Sequence, residues 1–163
     1  MNTSHEAQVE AMLAAASAAH AALLPQLPPE LQASLPVDAQ GITEAIDHLA
    51  EAAGLSPADR RGLIRPHGVN PAVMHARVFG GAPLDEETVI GSFVEGARVR
   101  AEALAGLGEI VGGAALSGEV RALLVEHPLP LAADGPAAVP ALRAAYAAQE
   151  RAVVAVARGL DRA

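Results

Sequence analysis

The chain has 163 residues, 52% of them apolar and only 2% aromatic, and 19 acidic against 11 basic side chains give a net charge of −8. This length allows one domain with a hydrophobic core, and the negative charge disfavours binding to a phosphate backbone. The absence of cysteine excludes disulfides, thiolate metal sites and cysteine nucleophiles. An interior built from Ala, Leu, Val and Ile without Trp favours closely packed helices over a sheet sandwich.

The first predicted element is an amphipathic helix over residues 4–24, which ends at Pro25. Its apolar face contains Val9, Met12, Leu13, Ala16, Ala19 and Leu23. The apolar run over residues 11–24 is too short to span a bilayer, and no Lys or Arg precedes Glu6 as in a signal peptide. We therefore expect a cytoplasmic protein without a membrane segment.

Three further helices are predicted before the middle of the chain, over residues 42–53, 57–64 and 71–79. Gly54 is the expected C-cap of the first of them. Ser56-Pro57 and Asn70-Pro71 each combine an N-cap residue with a proline at the first helical position, which predicts where the other two begin.

The longest proline-free helical pattern covers residues 85–111 and is predicted to be the central helix. Its expected apolar stripe is Ile90, Val94, Ala97, Ala101, Leu104, Gly108 and Val111. Glu95, Arg98 and Glu102 lie on the opposite side, at spacings that allow ion pairs across single turns. The glycine pair 112–113 is expected to end this helix.

Two more helices complete the scheme, a short one that Ser117 caps and that runs to about Glu126, and a long one from Pro136 or Val139 to Leu160. The apolar face of the last helix contains Val139, Leu142, Tyr146, Gln149, Val153, Val156 and Leu160. All twelve prolines then fall at helix starts or outside helices. The sequence therefore predicts an all-α fold, a single-domain helical bundle over residues 1–163 with about four principal helices and short intervening ones.

The segment 49–58 resembles the front half of a bacterial helix-turn-helix, because Ala50 and Gly54 have the spacing with which that motif turns between its helices. The resemblance would imply DNA binding. It stops at Arg60-Arg61, where the second helix of the motif should bury an aliphatic side chain. Together with the negative charge, this makes a DNA-binding protein the least favoured alternative, and an ordinary helix–turn–helix corner is the simpler interpretation.

Glu44, His48 and Glu51 are spaced four and three residues apart, on one face of the second helix. A carboxylate–His–carboxylate stripe of this kind is a candidate set of metal ligands, as on the facing helices of di-iron bundles. The stripe lies opposite Ile46 and Leu49, however, and no Glu-x-x-His pair occurs to complete a ferritin-like site. A solvated polar face is the simpler interpretation.

His5 and His20 lie on the apolar side of the first helix, and Tyr146 and Gln149 lie on that of the last helix. Buried polar groups need partners. If the two helices are neighbours, we expect His20, Tyr146 and Gln149 to form one internal polar cluster. Such a cluster either satisfies its own hydrogen bonds or holds water, a metal or a ligand.

No P-loop, dinucleotide-binding loop or Gly-x-Ser-x-Gly occurs in the sequence, which therefore assigns neither a reaction nor a cofactor. Broad alanine-rich helix faces and several apolar loop residues predict a homo-oligomer, with a dimer as the first choice. The leading hypothesis is a non-enzymatic helical-bundle protein that acts through self-association or a protein partner. The alternative is a small-ligand- or metal-binding bundle, catalytic or not, that uses the polar cluster or the Glu44 stripe.

Overall fold

A computed structural model describes residues 3–23, 25, 40–64 and 86–163. Across these ranges the protein is all-α, with five α-helices and no strand. The α-helices are α1 (His5–Leu23), α2 (Gln40–Ala52), α3 (Pro57–Ile64), α4 (Glu86–Val125) and α5 (Ala138–Arg162), and a 3₁₀-helix (Ala132–Ala137) precedes α5. The predicted all-α helical bundle is confirmed; the helix expected over 71–79 lies outside the described residues.

α4 is a helical hairpin. Gly112 (φ −134°, ψ 15°) and Gly113 (φ 67°, ψ −159°) break its helical backbone, and Gly113 occupies a region that favours glycine. The chain reverses there, because Ser117 Oγ lies 3.1 Å from the carbonyl oxygen of Ala105, whereas twelve residues of straight helix would span about 18 Å. We call residues 86–111 the first arm and residues 114–125 the second arm.

The glycine pair therefore ends the central helix at the predicted position, but the predicted role of Ser117 is wrong. Ser117 lies inside the second arm, one turn after the reversal, and is buried. Its hydroxyl donates to the backbone of the first arm instead of capping a helix. The reversal at Gly113 already begins the second arm, so no serine N-cap is required.

The core lies mainly between α4 and α5; α1 packs on α5 and α2, and α2 and α3 also contact α4. Its largest apolar side chains are Phe93, Leu104 and Leu107 from α4, Leu142, Val153 and Val156 from α5, and Ile42, Ile46 and Leu49 from α2. In the described part of α1, Val9 is the one fully buried residue. α5 thus contacts each of the other three long elements, α1, α2 and α4.

The buried side of the first arm is rotated from the predicted apolar stripe. Phe93, Arg100 and Leu107 are buried, whereas Val94 and Val111, both expected inside, are partly exposed. α5 covers one side of this arm and the second arm of the hairpin covers another. The buried sector is therefore wider than the single stripe that a surface helix presents.

On the solvent side of the first arm, the predicted ion pairs are confirmed. Arg98 donates to Glu95 through Nε at 3.0 Å and also through Nη2, and its Nη1 donates to Glu102 Oε1 at 3.0 Å. These charged groups lie one turn apart on a face that looks away from α5.

One segment, Phe93–Val125, has the length and the mean hydropathy, 1.2, of a membrane-spanning helix. It meets these criteria by length and composition only, and 44% of its most apolar 18-residue stretch is buried in the protein. The chain reversal at Gly112-Gly113 also interrupts it, so it is not one continuous rod. A core helix of a soluble bundle meets the same criteria, which makes this segment weak support for a membrane span.

Candidate functional site

Three polar side chains meet in the core between the first arm of α4 and α5. Arg100 comes from α4, and Tyr146 and Gln149 come from successive turns of α5. Their exposed fractions are only 2%, 3% and 1%. We call them the Arg100 cluster.

Four hydrogen bonds connect the Arg100 cluster. Arg100 Nη2 donates to the Tyr146 hydroxyl at 2.6 Å, and Arg100 Nε donates to Gln149 Oε1 at 3.2 Å. The Tyr146 hydroxyl in turn donates to the carbonyl oxygen of Phe93 at 2.9 Å, and Gln149 Nε2 donates to that of Ala97 at 2.6 Å. Side chains of α5 thus bind both a side chain and the backbone of α4.

Ring contacts and a close approach complete the packing of the cluster. Arg100 Cζ lies 4.9 Å from the centroid of the Tyr146 ring, within the range of a cation–π interaction. The Phe93 and Tyr146 ring centroids are 6.4 Å apart. A Cβ at Gly96 would lie 3.1 Å from Arg100 Nη1, so the glycine leaves room for the guanidinium group.

The cluster has the properties of a self-satisfied network, which is one of the two interpretations that the sequence left open. In the described part of the chain, no buried side-chain nitrogen or oxygen lacks a hydrogen-bond partner. A buried polar network of this kind is favourable only when every member is bonded. It fixes the register of α4 against α5, because its bonds join particular turns of the two helices.

The structure brings together two of the three residues predicted for this cluster. Tyr146 and Gln149 belong to it, but His20 is partly exposed in the last turn of α1, and no described hydrogen bond joins it to either of them. α1 packs on α2 and α5, away from the first arm of α4. Arg100 was missed, because it lies beside the predicted apolar stripe and not in it, about 60° around the helix from Ala97.

Two of the three candidate metal ligands on α2 have other partners. Glu44 is exposed and accepts a bond from Gln40 Nε2 at 2.9 Å, and Glu51 is also exposed. His48 Nε2 donates to Gln8 Oε1 at 2.9 Å, which joins α2 to α1. In the described ranges no three His, Asp or Glu side chains are placed to hold a metal ion together.

A second polar group joins the two ends of the chain, where the first turn of α1 meets the last turn of α5. Asp161 Oδ1 accepts from the backbone N–H of His5 at 2.7 Å and lies 3.0 Å from its ring Nδ1, and Oδ2 accepts from the N–H of Glu6 at 3.0 Å. Arg158 Nε donates to Glu6 Oε1 at 2.9 Å. We call these four residues the α1–α5 junction.

The carboxylate of Asp161 acts as an N-cap for α1, although it belongs to the other end of the chain. Its bonds satisfy backbone N–H groups that have no partner within their own helix, and they place a negative charge at the positive helix end. These bonds, first that from the N–H of Glu6, lower the pKa of Asp161 below its ordinary value. Ser4 Oγ accepts from the N–H of Ala7 and completes the cap.

The α2–α3 corner has the predicted boundaries. Gly54 has φ +89°, Leu55 N donates to the carbonyl oxygen of Ala50 at 3.0 Å, and Asp59 N donates to Ser56 Oγ at 3.2 Å. Arg60 Nε donates to Asp47 Oδ1 at 3.2 Å, so this arginine binds the preceding helix. An arginine engaged in this way is a corner contact and adds no support for DNA binding.

No protein-family model, no curated protein and no solved structure matches this chain. A functional assignment therefore depends on the contacts and surfaces of the molecule itself.

Proposed function

We propose that this protein is a non-enzymatic helical-bundle protein that acts by self-association, as a homodimer. The observation that carries the proposal is the outward side of α1 over residues 11–22, which is mostly apolar and has no charged residue. Eight of its alanines are exposed: Ala7, Ala11, Ala14, Ala15, Ala18, Ala19, Ala21 and Ala22. Residues 11–22 contain no Asp, Glu, Lys or Arg.

Comparison with α5 shows why this surface is unusual for the same molecule. The solvent side of α5 carries Arg143, Glu150, Arg151 and Arg158, as expected of a helix that faces water. High helix propensity alone explains alanine at some exposed positions. It does not explain three helical turns of α1 without a charged residue, and an uncharged helix face of this length supports contact with another protein surface.

Other exposed apolar side chains add little to this surface. Ile110, Val125 and Leu131 are 57%, 76% and 70% exposed. Ile110 lies beside the reversal of the hairpin, whereas Val125 ends the second arm and Leu131 follows it. Single apolar residues at separate positions are normal on a protein surface.

The charge of the chain is consistent with a soluble protein that associates through α1. A net charge of −8 favours solubility and disfavours nucleic acid as a partner. A cytoplasmic location is part of the proposal, as is the absence of a membrane span.

Light scattering tests the proposal directly. At micromolar concentration we expect a mass of twice 16.5 kDa, and a mass of 16.5 kDa would overturn it. The double variant Ala15→Glu, Ala18→Glu places two charges on the outward side of α1 and should yield the monomer. The matched control Ala147→Glu, at an exposed alanine of α5, should remain dimeric. If all three proteins are dimers, α1 is not the contact surface.

Small-ligand or metal binding, with or without catalysis, is the alternative function, and no observation favours it over self-association. The Arg100 cluster binds itself and the helix backbone, and Glu44, His48 and Glu51 are not gathered into a metal site. A metal assay on the purified protein separates the two functions, because stoichiometric metal would favour the alternative.

A further inference from the structure

α1 is the least firmly held of the long helices. Val9 is its one fully buried residue among those described, and Met12 and Leu13 are only partly buried. α5, by contrast, buries eleven residues. α1 rests mainly on two neighbours, α2 and α5, and both of them have further partners in the bundle. Its release would leave the contacts between α4, α5 and α2 intact.

The surface beneath α1 is nevertheless specific for a helix of this sequence. At one end, the α1–α5 junction pairs opposite charges. Asp161 accepts hydrogen bonds from the N-terminal N–H groups of α1, and Arg158 forms an ion pair with Glu6. A few residues further along α1, Gln8 accepts a bond from His48 of α2, and Val9 enters the core between them. Any α1 offered to this surface, whether from the same chain or from a second copy, makes the same bonds.

The connection between α1 and α2 is long enough for α1 to reach a second copy of the protein. α1 ends at Leu23 and α2 begins at Gln40, so sixteen residues separate them. Extended, they reach roughly 55 Å, which is about twice the length of α1 itself. An α1 that leaves its own bundle can therefore reach an adjacent one without unfolding α2.

We propose that the homodimer forms by exchange of α1, so that each copy's α1 lies on the α2–α5 surface of the other. This proposal rests on the proposed function, because it names the way in which the chain self-associates. Exchange of an identical element between two copies is a low-cost route to a two-fold dimer, since every contact of α1 is formed again in the partner.

Exchange has a concentration dependence that follows from the connection. In the closed monomer the covalent connection keeps α1 near its own bundle and raises its effective concentration there, which favours the monomer in dilute solution. The exchanged dimer must therefore gain contacts that the monomer lacks. The uncharged outward side of α1 supplies these additional contacts. The same helix is therefore the basis of the proposed homodimer and of the proposed exchange.

Cross-linking tests the exchange, because the chain has no native cysteine. One chain carries Glu6→Cys and a second chain carries Arg158→Cys, at two positions whose side chains are in contact. The two chains are mixed, unfolded, refolded together and treated with a short bismaleimide. If α1 is exchanged, up to about half of the dimers are mixed ones that give a covalent chain pair on a denaturing gel.

Glu6→Cys mixed with Ala147→Cys is the matched control. Residue 147 lies eleven residues from Arg158 on the same helix, which is about 16 Å along α5 and out of reach of the short reagent. We expect this mixture to give no more than a tenth of the covalent pairs that the first one gives. Equal yields from the two mixtures would mean random collisions and would overturn the exchange.

The combination of mass and cross-linking separates this proposal from the one on which it rests. A dimer with covalent pairs between the chains supports both. A dimer that gives no such pairs overturns the exchange and leaves self-association standing. A monomer at the highest concentration tested overturns both.

Discussion

At the scale of single residues, a buried arginine determines how two helices meet. Removing a guanidinium group from water is expensive unless its N–H groups are bonded. Arg100 meets this condition through Tyr146 and Gln149, and these two side chains also bind the backbone of α4. Sliding α4 along α5 by one turn would break all four bonds, so the cluster selects one register.

The cluster should therefore respond to the loss of one member. Gln149→Ala leaves Arg100 Nε and the carbonyl oxygen of Ala97 without this partner, and we expect a loss of about 1–3 kcal/mol in the free energy of unfolding. Tyr146→Phe should show coupling with it of at least about 0.5 kcal/mol in a double-mutant cycle. His20→Ala is the control and should remain within about 0.5 kcal/mol of the wild type in urea unfolding. Equal effects of Gln149→Ala and His20→Ala would contradict the role of the cluster.

Asp161 gives the protein a pH dependence whose sign follows from its bonds. The pKa of this carboxyl is lower in the folded protein than the ordinary value of 3.8, because the N–H groups of Glu6 and His5 bind the charged form. Its contribution to stability is fully present above the unfolded pKa and is lost as pH falls through the folded pKa. The melting temperature of Asp161→Asn should be below that of the wild type at pH 6, and the difference should shrink below pH 3.8. A difference that is constant down to pH 2 would disprove this assignment.

At the scale of elements, the sequence predicted the features that depend on local signals and missed those that depend on tertiary contacts. The proline and glycine positions placed α2, α3 and the end of the first arm correctly, because caps and turns depend on a few neighbouring residues. The burial of Arg100 and Ser117 depends on which helix lies opposite. One helical pattern predicts an apolar stripe but not its partners, so neither residue was expected inside. Tyr146 and Gln149 were expected there because they interrupt an otherwise apolar face.

Replacement of glycine by alanine should have opposite effects on stability at two positions of α4. No atom lies within 4 Å of a Cβ built at Gly106, so Gly106→Ala should stabilise the first arm by about 0.5–1 kcal/mol through the higher helix propensity of alanine. A Cβ at Gly112 would lie 2.6 Å from Leu116 Cβ, and we expect Gly112→Ala to destabilise the protein by about 1–3 kcal/mol. The midpoints of denaturant unfolding curves, compared where the slopes of the transitions are equal, measure both changes in stability. Destabilisation by Gly106→Ala would show that another surface packs closely there.

At the scale of the whole molecule, stability is distributed unevenly across the bundle. α5 contacts α1, α2 and α4 and buries eleven residues, whereas α1 covers the outside with a single fully buried side chain among those described. The two ends of the chain meet at the α1–α5 junction, and its bonds are exposed to solvent. An element with few buried contacts and solvent-exposed bonds opens before the rest of a protein.

Amide hydrogen exchange should show that α1 opens before the other helices. At concentrations too low for association, we expect the amides of residues 11–22 in α1 to exchange fastest among the helix interiors, and those around Val153 in α5 to approach the protection set by global unfolding. Asp161→Asn removes the cap of α1, so it should lower protection in α1 and leave that of the first arm and of α5 nearly unchanged. The exposed alanine control Ala147→Glu should leave α1 protected as in the wild type. If α1 exchanged as slowly as α5 under these conditions, its release would require unfolding of the whole bundle, which would contradict the release of α1 from an otherwise folded monomer.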